Sequence, residues 1–408
     1  MKSPLHHVSH IKLMEIKITH RGFSIEYIDT VDKLKTCVQY LQTVNTIAFD
    51  LEFDKNSFVY GFNLCLVQIA TDKRCFVIDP LKLGNKVLVT VFDLFENPKI
   101  IKILHSGSED LRLLQLLGCR LKNLFDTDIA VKILNYEKIS LGNVIKAKFD
   151  IDLDKSLQKS NWNLRPLSVE QIIYSASDVL FLIQLRKILE AELKECNRFD
   201  WFQEEVEYIT TLHYNQEDKT DFLSGADKKN LTEFDQFVLN ELLKFRDSLA
   251  KKLNRPAHHV MASSIVYSVL NDDTYLNNWL NVKGYFNSLR TADFQATFLN
   301  TRNTIVAQAE ALNLPKSKEQ FFFTPEERDE FYRQKQEKIR IKDECFSPIQ
   351  DLIAQKYGDF VAKHILSNVL ANDIIAGYSK ISTIPLKYKR DVILEIAQIL
   401  KINLEAYV

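Results

Sequence analysis

The stretch Thr46-Ile-Ala-Phe-Asp-Leu-Glu-Phe53 carries two carboxylates inside a run that otherwise reads as a β-strand. Side chains alternate along a strand, so Asp50 and Glu52 share one face with Ala48, while Ile47, Phe49, Leu51 and Phe53 fill the other. Two acids on one face belong either to a solvated edge strand or to a buried site with a compensating cation. Leu64-Cys-Leu-Val-Gln-Ile-Ala70 and Arg74-Cys-Phe-Val-Ile-Asp79 read as two further strands joined by Thr71-Asp-Lys73, with Pro80 ending the second of them. Residues 100–104 read as a fourth strand. Helices are expected over 31–41, 87–96 and 110–117, the last closed by Gly118. Three β-runs followed by alternating β and α predict an α/β domain, a mixed sheet with helices on its faces.

Two more segments place acids in the same setting. In His105-Ser-Gly-Ser-Glu-Asp110, Ser106 and Glu109 have capping-box spacing. That predicts a helix from Ser106 with Asp110 in its first turn, at the mouth of a strand. Taken alone, such an acid only complements the helix dipole. Tyr174 and Asp178 lie four apart on a helix opened by a Ser168/Gln171 capping box, so they share a face. The apolar stripe of Ile172, Ile173, Ala176, Val179, Leu180 and Ile183 falls nearly opposite them, while Phe181 and Leu185 accompany them, which suits a cleft wall. Carboxylates beside apolar runs are costly unless something pairs with them, and a pair of divalent ions does so. Two ions held by carboxylates clamp the attacking and leaving oxygens of a phosphodiester, which points to nuclease chemistry.

A chain of 408 residues implies two or three domains, and only 10 glycines argue against a turn-rich all-β fold. A net charge of −1 neither requires nor excludes nucleic acid, because a local basic groove decides. Cys37, Cys65, Cys75, Cys119, Cys196 and Cys345 form no Cys-x-x-Cys pair and have no histidine at zinc spacing, so free thiols in a reducing compartment are expected. No run is long enough to cross a membrane, and His6, His7 and His10 interrupt any signal-like segment. A cytoplasmic location and no obligate protein partner are the expectations.

The motif order resembles that of the DEDD-type 3′→5′ exonucleases in their tyrosine-bearing branch, and ribonuclease D above all. Phe49-Asp-Leu-Glu-Phe53 resembles the first motif; Cys65-Leu-Val-Gln-Ile69 and Val77-Ile-Asp-Pro80 resemble the next two strands. His105-Ser-Gly-Ser-Glu-Asp-Leu111 and Leu124-Phe-Asp-Thr-Asp128 cover the second motif. Leu153-Asp-Lys-Ser156, Trp162 and Arg165-Pro-Leu167 precede the third. The tryptophan usually follows an aspartate, and here it follows Asn161. The resemblance covers roughly 25–205 and implies an RNase H-like fold. It also implies two divalent ions, Mg²⁺ or Mn²⁺: Asp50 bridging both, Glu52 and Asp178 completing one site, Asp110 serving the second, and Tyr174 orienting the attacking water. The substrate implied is RNA with a free 3′ end, such as a tRNA precursor. His105, Trp162 and Arg165 are candidate RNA contacts. A DNA exonuclease of the Werner-helicase type shares the motifs, and a non-catalytic RNA-binding scaffold is the remaining alternative.

Beyond the nuclease segment the pattern is helical. The expected division is an N-terminal extension (1–24), an exonuclease domain (25–214), a polar linker (215–229), a helical domain (230–314) and a C-terminal helical domain (320–408). Leu243-Lys-Phe-Arg-Asp-Ser-Leu-Ala-Lys-Lys-Leu-Asn-Arg-Pro256 resembles the opening of a helicase-and-RNase-D C-terminal (HRDC) domain, and position suggests a second, HRDC-like domain after it. Lys244, Lys251, Lys252 and Arg255 are candidate phosphate contacts, which Tyr357, Lys363, Lys387, Lys389 and Arg390 would extend. Residues 1–214 are expected to fold alone.

Overall fold

The computed structural model describes residues 17–84, 88–214, 219–271, 284, 286–318 and 324–408. His6, His7 and His10 lie outside them. The sheet has seven strands: β1 (Lys17–His20), β2 (Phe23–Ile28), β3 (Thr46–Lys55), β4 (Phe62–Ala70), β5 (Arg74–Ile78), β6 (Ile101–Leu104) and β7 (Leu124–Asp126). Their spatial order is β1-β2-β5-β4-β3-β6-β7. β3, β6 and β7 run parallel, as do β2 and β5, whereas β1 pairs antiparallel with β2 and β4 with β5. Ile47, Ala48 and Phe49 at the start of β3 are fully buried, as a strand covered on both faces requires.

The helices around the sheet are α1 (Val31–Leu41), α2 (Pro80–Leu83), α3 (Val89–Glu96), α4 (Ser108–Leu116), α5 (Thr127–Ile133), α6 (Leu141–Phe149), α7 (Val169–Ser177), α8 (Leu182–Glu195) and α9 (Phe199–Thr211). The expected mixed α/β architecture is present, with four differences. The sheet starts before residue 25, because Arg21 and Gly22 both take positive φ (49° and 84°) and turn β1 back into β2 as a hairpin. The Ser106/Glu109 capping box does not form. Ser106 has φ 62°, and its amide and that of Gly107 donate to the Asp126 carboxylate at 2.9 and 3.1 Å, so α4 begins at Ser108. The long helix expected after Ser168 is broken into α7, α8 and α9, with Asp178 capping the first. Within the polar stretch after 214, α10 (Gly225–Asn230) is a capped helical turn, with Tyr267 donating to Asp227 at 2.9 Å.

The chain divides into two compact units: residues up to 52, 64–214 and 333–408 in one, and 53–63 with 215–332 in the other. The second unit contains α10, α11 (Glu233–Leu253), α12 (Ala257–Val260), α13 (Ser263–Asn271) and α14 (Ala292–Ala311) around Val238, Leu242, Val266 and Phe298. The β3–β4 hairpin tip belongs to it. Asp54 closes that tip by accepting the amides of Ser57 and Val59, both at 2.7 Å, and Tyr60 donates to Asp247 at 2.7 Å.

α15 (Pro325–Ile341) buries no residue. It leads into α16 (Ser347–Tyr357), α17 (Asp359–Ile365), α18 (Asn368–Ile375) and α19 (Lys387–Leu400), which share a unit with the sheet. Asn135 caps α17, accepting the amides of Phe360 and Val361 at 2.9 and 3.2 Å. A Cβ at Gly358 would stand 2.0 Å from the Asn135 amide, so only glycine permits that approach. Trp201 of α9 stacks on Tyr388 at 4.8 Å. Buried Glu205 accepts from His364 at 2.6 Å and from Tyr388, with Lys389 at 3.3 Å. The C-terminal helices are thus built against the α/β domain, not strung beyond it.

Candidate active site

β3 carries Asp50 and Glu52 to one end of the sheet, where β6 delivers His105 and the turn into α4. That turn is built by Asp126, whose carboxylate gathers the amides of Ser106, Gly107 and Asp128. A Cβ at Gly107 would stand 2.4 Å from Leu104 Cδ2, so the turn closes only on glycine. The result buries Asp110 in the first turn of α4 at 8% exposure, with Oδ1 lacking any hydrogen-bond partner. α7 supplies Tyr174, and its C-cap supplies Asp178. Asp50, Glu52 and Asp178 each offer an oxygen within 4.8 Å of the others. All five residues singled out from the sequence therefore converge.

Like charges in a dry setting resist ionisation. Burial, then Asp110, Asp178 and Glu52, push the Asp50 carboxyl well above its ordinary range. Burial followed by Asp178 and Asp110 raises Glu52 to about 8. Burial chiefly lifts Asp110 to about 7 and Asp178 to about 6, the latter against the pull of Lys155. Such a set, with an orphaned carboxylate oxygen and no salt bridge to any of the four acids among the described residues, has the donor chemistry of a site for hard divalent cations. Burial and the neighbouring acids also push the Tyr174 phenol further up, so it stays neutral at any working pH.

Asp50, Glu52 and Asp178 open into a cavity of ≈ 490 Å³, also walled by His105, Lys132, Lys155, Gln158 and Tyr174, with Asp110 buried beside them and not on its lining. Its cations differ in availability. Lys132 is paired with Asp128 at 2.5 Å. His105 bonds the Thr127 hydroxyl at 2.9 Å, and burial pushes it down to about 4, so it is a neutral hydrogen-bonding wall. Lys155 has no ion pair among the described residues. A Cβ at Gly142 would already lie 3.2 Å from its Cε, so the small neighbour leaves it room. Lys155 and Gln158 were missed as site residues because they sit in a segment without helix or strand; the signal available was the run Leu153-Asp-Lys-Ser156.

The other candidates fall elsewhere. Trp162 is 3% exposed and stacks behind Tyr174, ring centroids 6.0 Å apart, so it backs the tyrosine and cannot lie against RNA. Arg165 spends its guanidinium internally. It grips fully buried Asp79 through two bonds of 2.5 and 2.8 Å and donates to the carbonyls of Trp162 and Cys65 at 2.7 and 3.0 Å. Its expected RNA contact is replaced by a clamp between β5 and the segment before α7. Lys389 and Arg390 are likewise engaged, with Glu205 and with the carbonyls of Ile384 and Pro385. In the second unit, Lys244 pairs with Glu241 at 2.6 Å, Arg255 packs over the Phe286 ring, and Lys251 and Lys252 are exposed in the last turn of α11.

Residues 25–194 match the 3′-5′ exonuclease family. Ribonuclease D of Desulfotalea psychrophila is 31% identical over 252 residues, covering 59% of this chain and 65% of the relative. The catalytic core of RRP6 from Trypanosoma brucei superposes with a TM-score of 0.63 at 26% identity, over 74% of this chain and 84% of that one. Escherichia coli RNase D shares the fold, with a TM-score of 0.62 at 21% identity, over 92% of this chain and 98% of that one. The chain spans 42–65% of the length of the first ribonuclease D relatives it matches.

Proposed function

We propose that residues 25–194, a 3′-5′ exonuclease domain related to ribonuclease D, make this chain a metal-dependent exoribonuclease that releases nucleoside 5′-monophosphates from RNA 3′ ends. The observation that carries the reading is the uncompensated acid cluster beneath a nucleotide-sized cavity. Asp50, Glu52 and Asp178 would hold one Mg²⁺ or Mn²⁺, and Asp110, with Asp50, a second. When bound, such ions neutralise charge at the attacking and leaving oxygens. Tyr174 stays protonated, so it orients the attacking water by a hydrogen bond and does not act as a base. Trp162 fixes the tyrosine ring. The water oxygen bonds to phosphorus, the bond to the preceding nucleotide's 3′-oxygen breaks, and the terminal nucleoside leaves with its 5′-phosphate. Lys155 and Gln158 are placed to hold that phosphate and the terminal nucleoside.

Structured RNA such as a tRNA precursor is the proposed substrate, with 230–314 acting as an HRDC domain and Lys251 and Lys252 as its phosphate contacts. DNA hydrolysis of the Werner type is less favoured, because the relatives are named as ribonucleases. A purely scaffolding role would leave no reason to keep four acids and a tyrosine in one cleft. The test is 3′-labelled RNA and DNA of one sequence, with Mg²⁺, Mn²⁺ or EDTA. Labelled 5′-monophosphate from RNA alone, abolished by EDTA, is expected. Preference for DNA would overturn the substrate, and no release from either would overturn catalysis.

A further inference from the structure

The opposite end of the same strands carries a second concavity, and its chemistry is the inverse of the first. β3 starts there at Thr46, β6 at Ile101, and the Thr71-Asp-Lys73 turn joins β4 to β5 beside them. With the first two turns of α8 these segments enclose ≈ 670 Å³ of open cavity, lined by Lys73, Lys99, Arg186 and Lys187, with Asp72 the only acid among the described lining residues. Lys73 and Lys99 are exposed and carry no ion pair among the described residues. Lys187 touches Asp72 only at 3.8 Å, with both side chains about two-thirds exposed, which is worth little. Arg186 is held in place by Glu190 at 2.5 Å and by the Phe125 ring beneath it, yet its Nε is buried without an acceptor. An incompletely bonded guanidinium beside a described lining of four cations and one acid suits this cavity to anionic oxygens.

We propose that this cavity binds backbone phosphates of the RNA upstream of the 3′ end being trimmed, as a second anchor on the nuclease fold itself. The inference rests on the reading that the substrate is RNA. Thr46 and Asp50 lie on one strand, so the two sites are separated by ~13 Å along β3 at about 3.3 Å per residue. That direct path runs through Ile47, Ala48 and Phe49, which are fully buried, so a strand whose 3′ end is in the first cavity reaches the anchor only round the domain surface, a longer path than a di- or trinucleotide spans. Among the described lining residues Tyr40 is the one aromatic ring, and Arg74 already covers it at 4.3 Å, so contact is to backbone and insensitive to sequence.

The test compares the full chain with Lys73→Glu/Lys99→Glu and, in case charge reversal disturbs folding, Lys73→Ala/Lys99→Ala. Binding of a structured RNA with a single-stranded 3′ tail and of a trinucleotide is measured against salt, in Ca²⁺ or EDTA so that hydrolysis does not interfere. For the long RNA, affinity should fall roughly tenfold and the log–log salt slope by about 1.5 for two lost phosphate contacts. Trinucleotide binding should be unchanged. An unaltered slope and affinity for the long RNA overturn the proposal, as does an equal loss for the trinucleotide. Protection of the cavity lysines from acylation by AMP or inorganic phosphate, but not by the long RNA, would assign the site to a free nucleotide or anion and overturn the RNA anchor. Failure of the chain to hydrolyse RNA in Mg²⁺ would remove the exonuclease reading while leaving these binding results to stand or fall alone.

Discussion

The carboxylates of two buried clusters in this molecule have been treated oppositely by their surroundings. In the acid cluster, burial pushes the carboxyls of Asp50, Glu52, Asp110 and Asp178 up, and at Asp50 and Glu52 the neighbouring acids of the cluster add to it. Between α9 and the C-terminal helices, Glu205 stands alone among His364, Tyr388 and Lys389. Burial there works to raise its carboxyl, but those three partners outweigh it and hold it at about 2. The second cluster is complete and therefore structural: it fastens the C-terminal helices to the nuclease fold. The first has no salt-bridge partner among the described residues, and carboxyls shifted this far by burial are the kind that gather at functional sites, in keeping with the proposed role.

The largest effect should come from breaking the first cluster. Asp50→Asn, Asp110→Asn or Asp178→Asn is expected to lower kcat roughly a thousandfold or more, the scale of transition-state electrostatics, with RNA binding largely retained. Single-turnover assays beside filter binding measure both, and near-normal turnover by any one variant removes that residue from the site.

Breaking the second cluster should cost stability, not chemistry. Glu205→Ala leaves Lys389 buried without its carboxylate and should lower the unfolding free energy by about 3 kcal/mol in denaturant melts. Turnover of a short RNA by the folded fraction should stay near normal. By the same reasoning, a fragment ending at Tyr214 exposes Trp201 and an unpaired Glu205, so it should be less stable than the expectation of a self-sufficient 1–214 domain implies. A fragment as stable as the full chain would show that the C-terminal helices contribute nothing to the fold.

A smaller change is expected from Tyr174→Phe: turnover reduced roughly tenfold to a hundredfold, below the range of full general acid–base catalysis, with metal affinity unchanged. Loss of metal binding in parallel would make the tyrosine structural instead.

The subtlest sharpening is pH. In metal-free protein the acids bind protons more tightly folded than unfolded. Their contribution to stability is complete below about pH 4 and is lost as pH rises through about 6, 7 and 8, where Asp178, Asp110 and Glu52 ionise. Glu205 behaves in reverse, contributing fully above about pH 4.3 and losing it as pH falls toward 2. Melting of the EDTA-treated chain should therefore drop by a few degrees from pH 5 to 8, and added Mg²⁺ should restore more at pH 8 than at pH 5. A melting temperature flat with pH would mean the acids are not repelling one another.

Much of this was legible in the chain. β3, α1 and the Ser168/Gln171 capping box appear where hydrophobic period and cap chemistry put them, because both act over a few neighbouring residues. All five catalytic candidates converge for a similar reason. A strand, a helix start and a helix face each point their acid in a direction fixed by local geometry, and motif order supplied the pairing. What misled was also local. Ser106 has the right neighbours for a cap, but Asp126, twenty residues on, takes the amides first. Arg165 and Lys389 look like free cations until Asp79 and Glu205 arrive from distant segments.

By itself, then, the sequence determined the sheet's buried strands, the acids that share a face, and the chemistry those acids can support. Tertiary structure alone decided which charges remain available. It cancelled Arg165, Lys132 and Lys389 and left Lys155, on the lining of the acid-walled cavity, without an ion pair among the described residues. It also welded the C-terminal helices to the nuclease fold through Glu205 and Asn135. The physical reason is that hydrophobic period and hydrogen-bonded caps are set by residues a few positions apart, whereas the worth of a charge is set by what stands within about 4 Å of it, and chain folding brings that neighbour from anywhere.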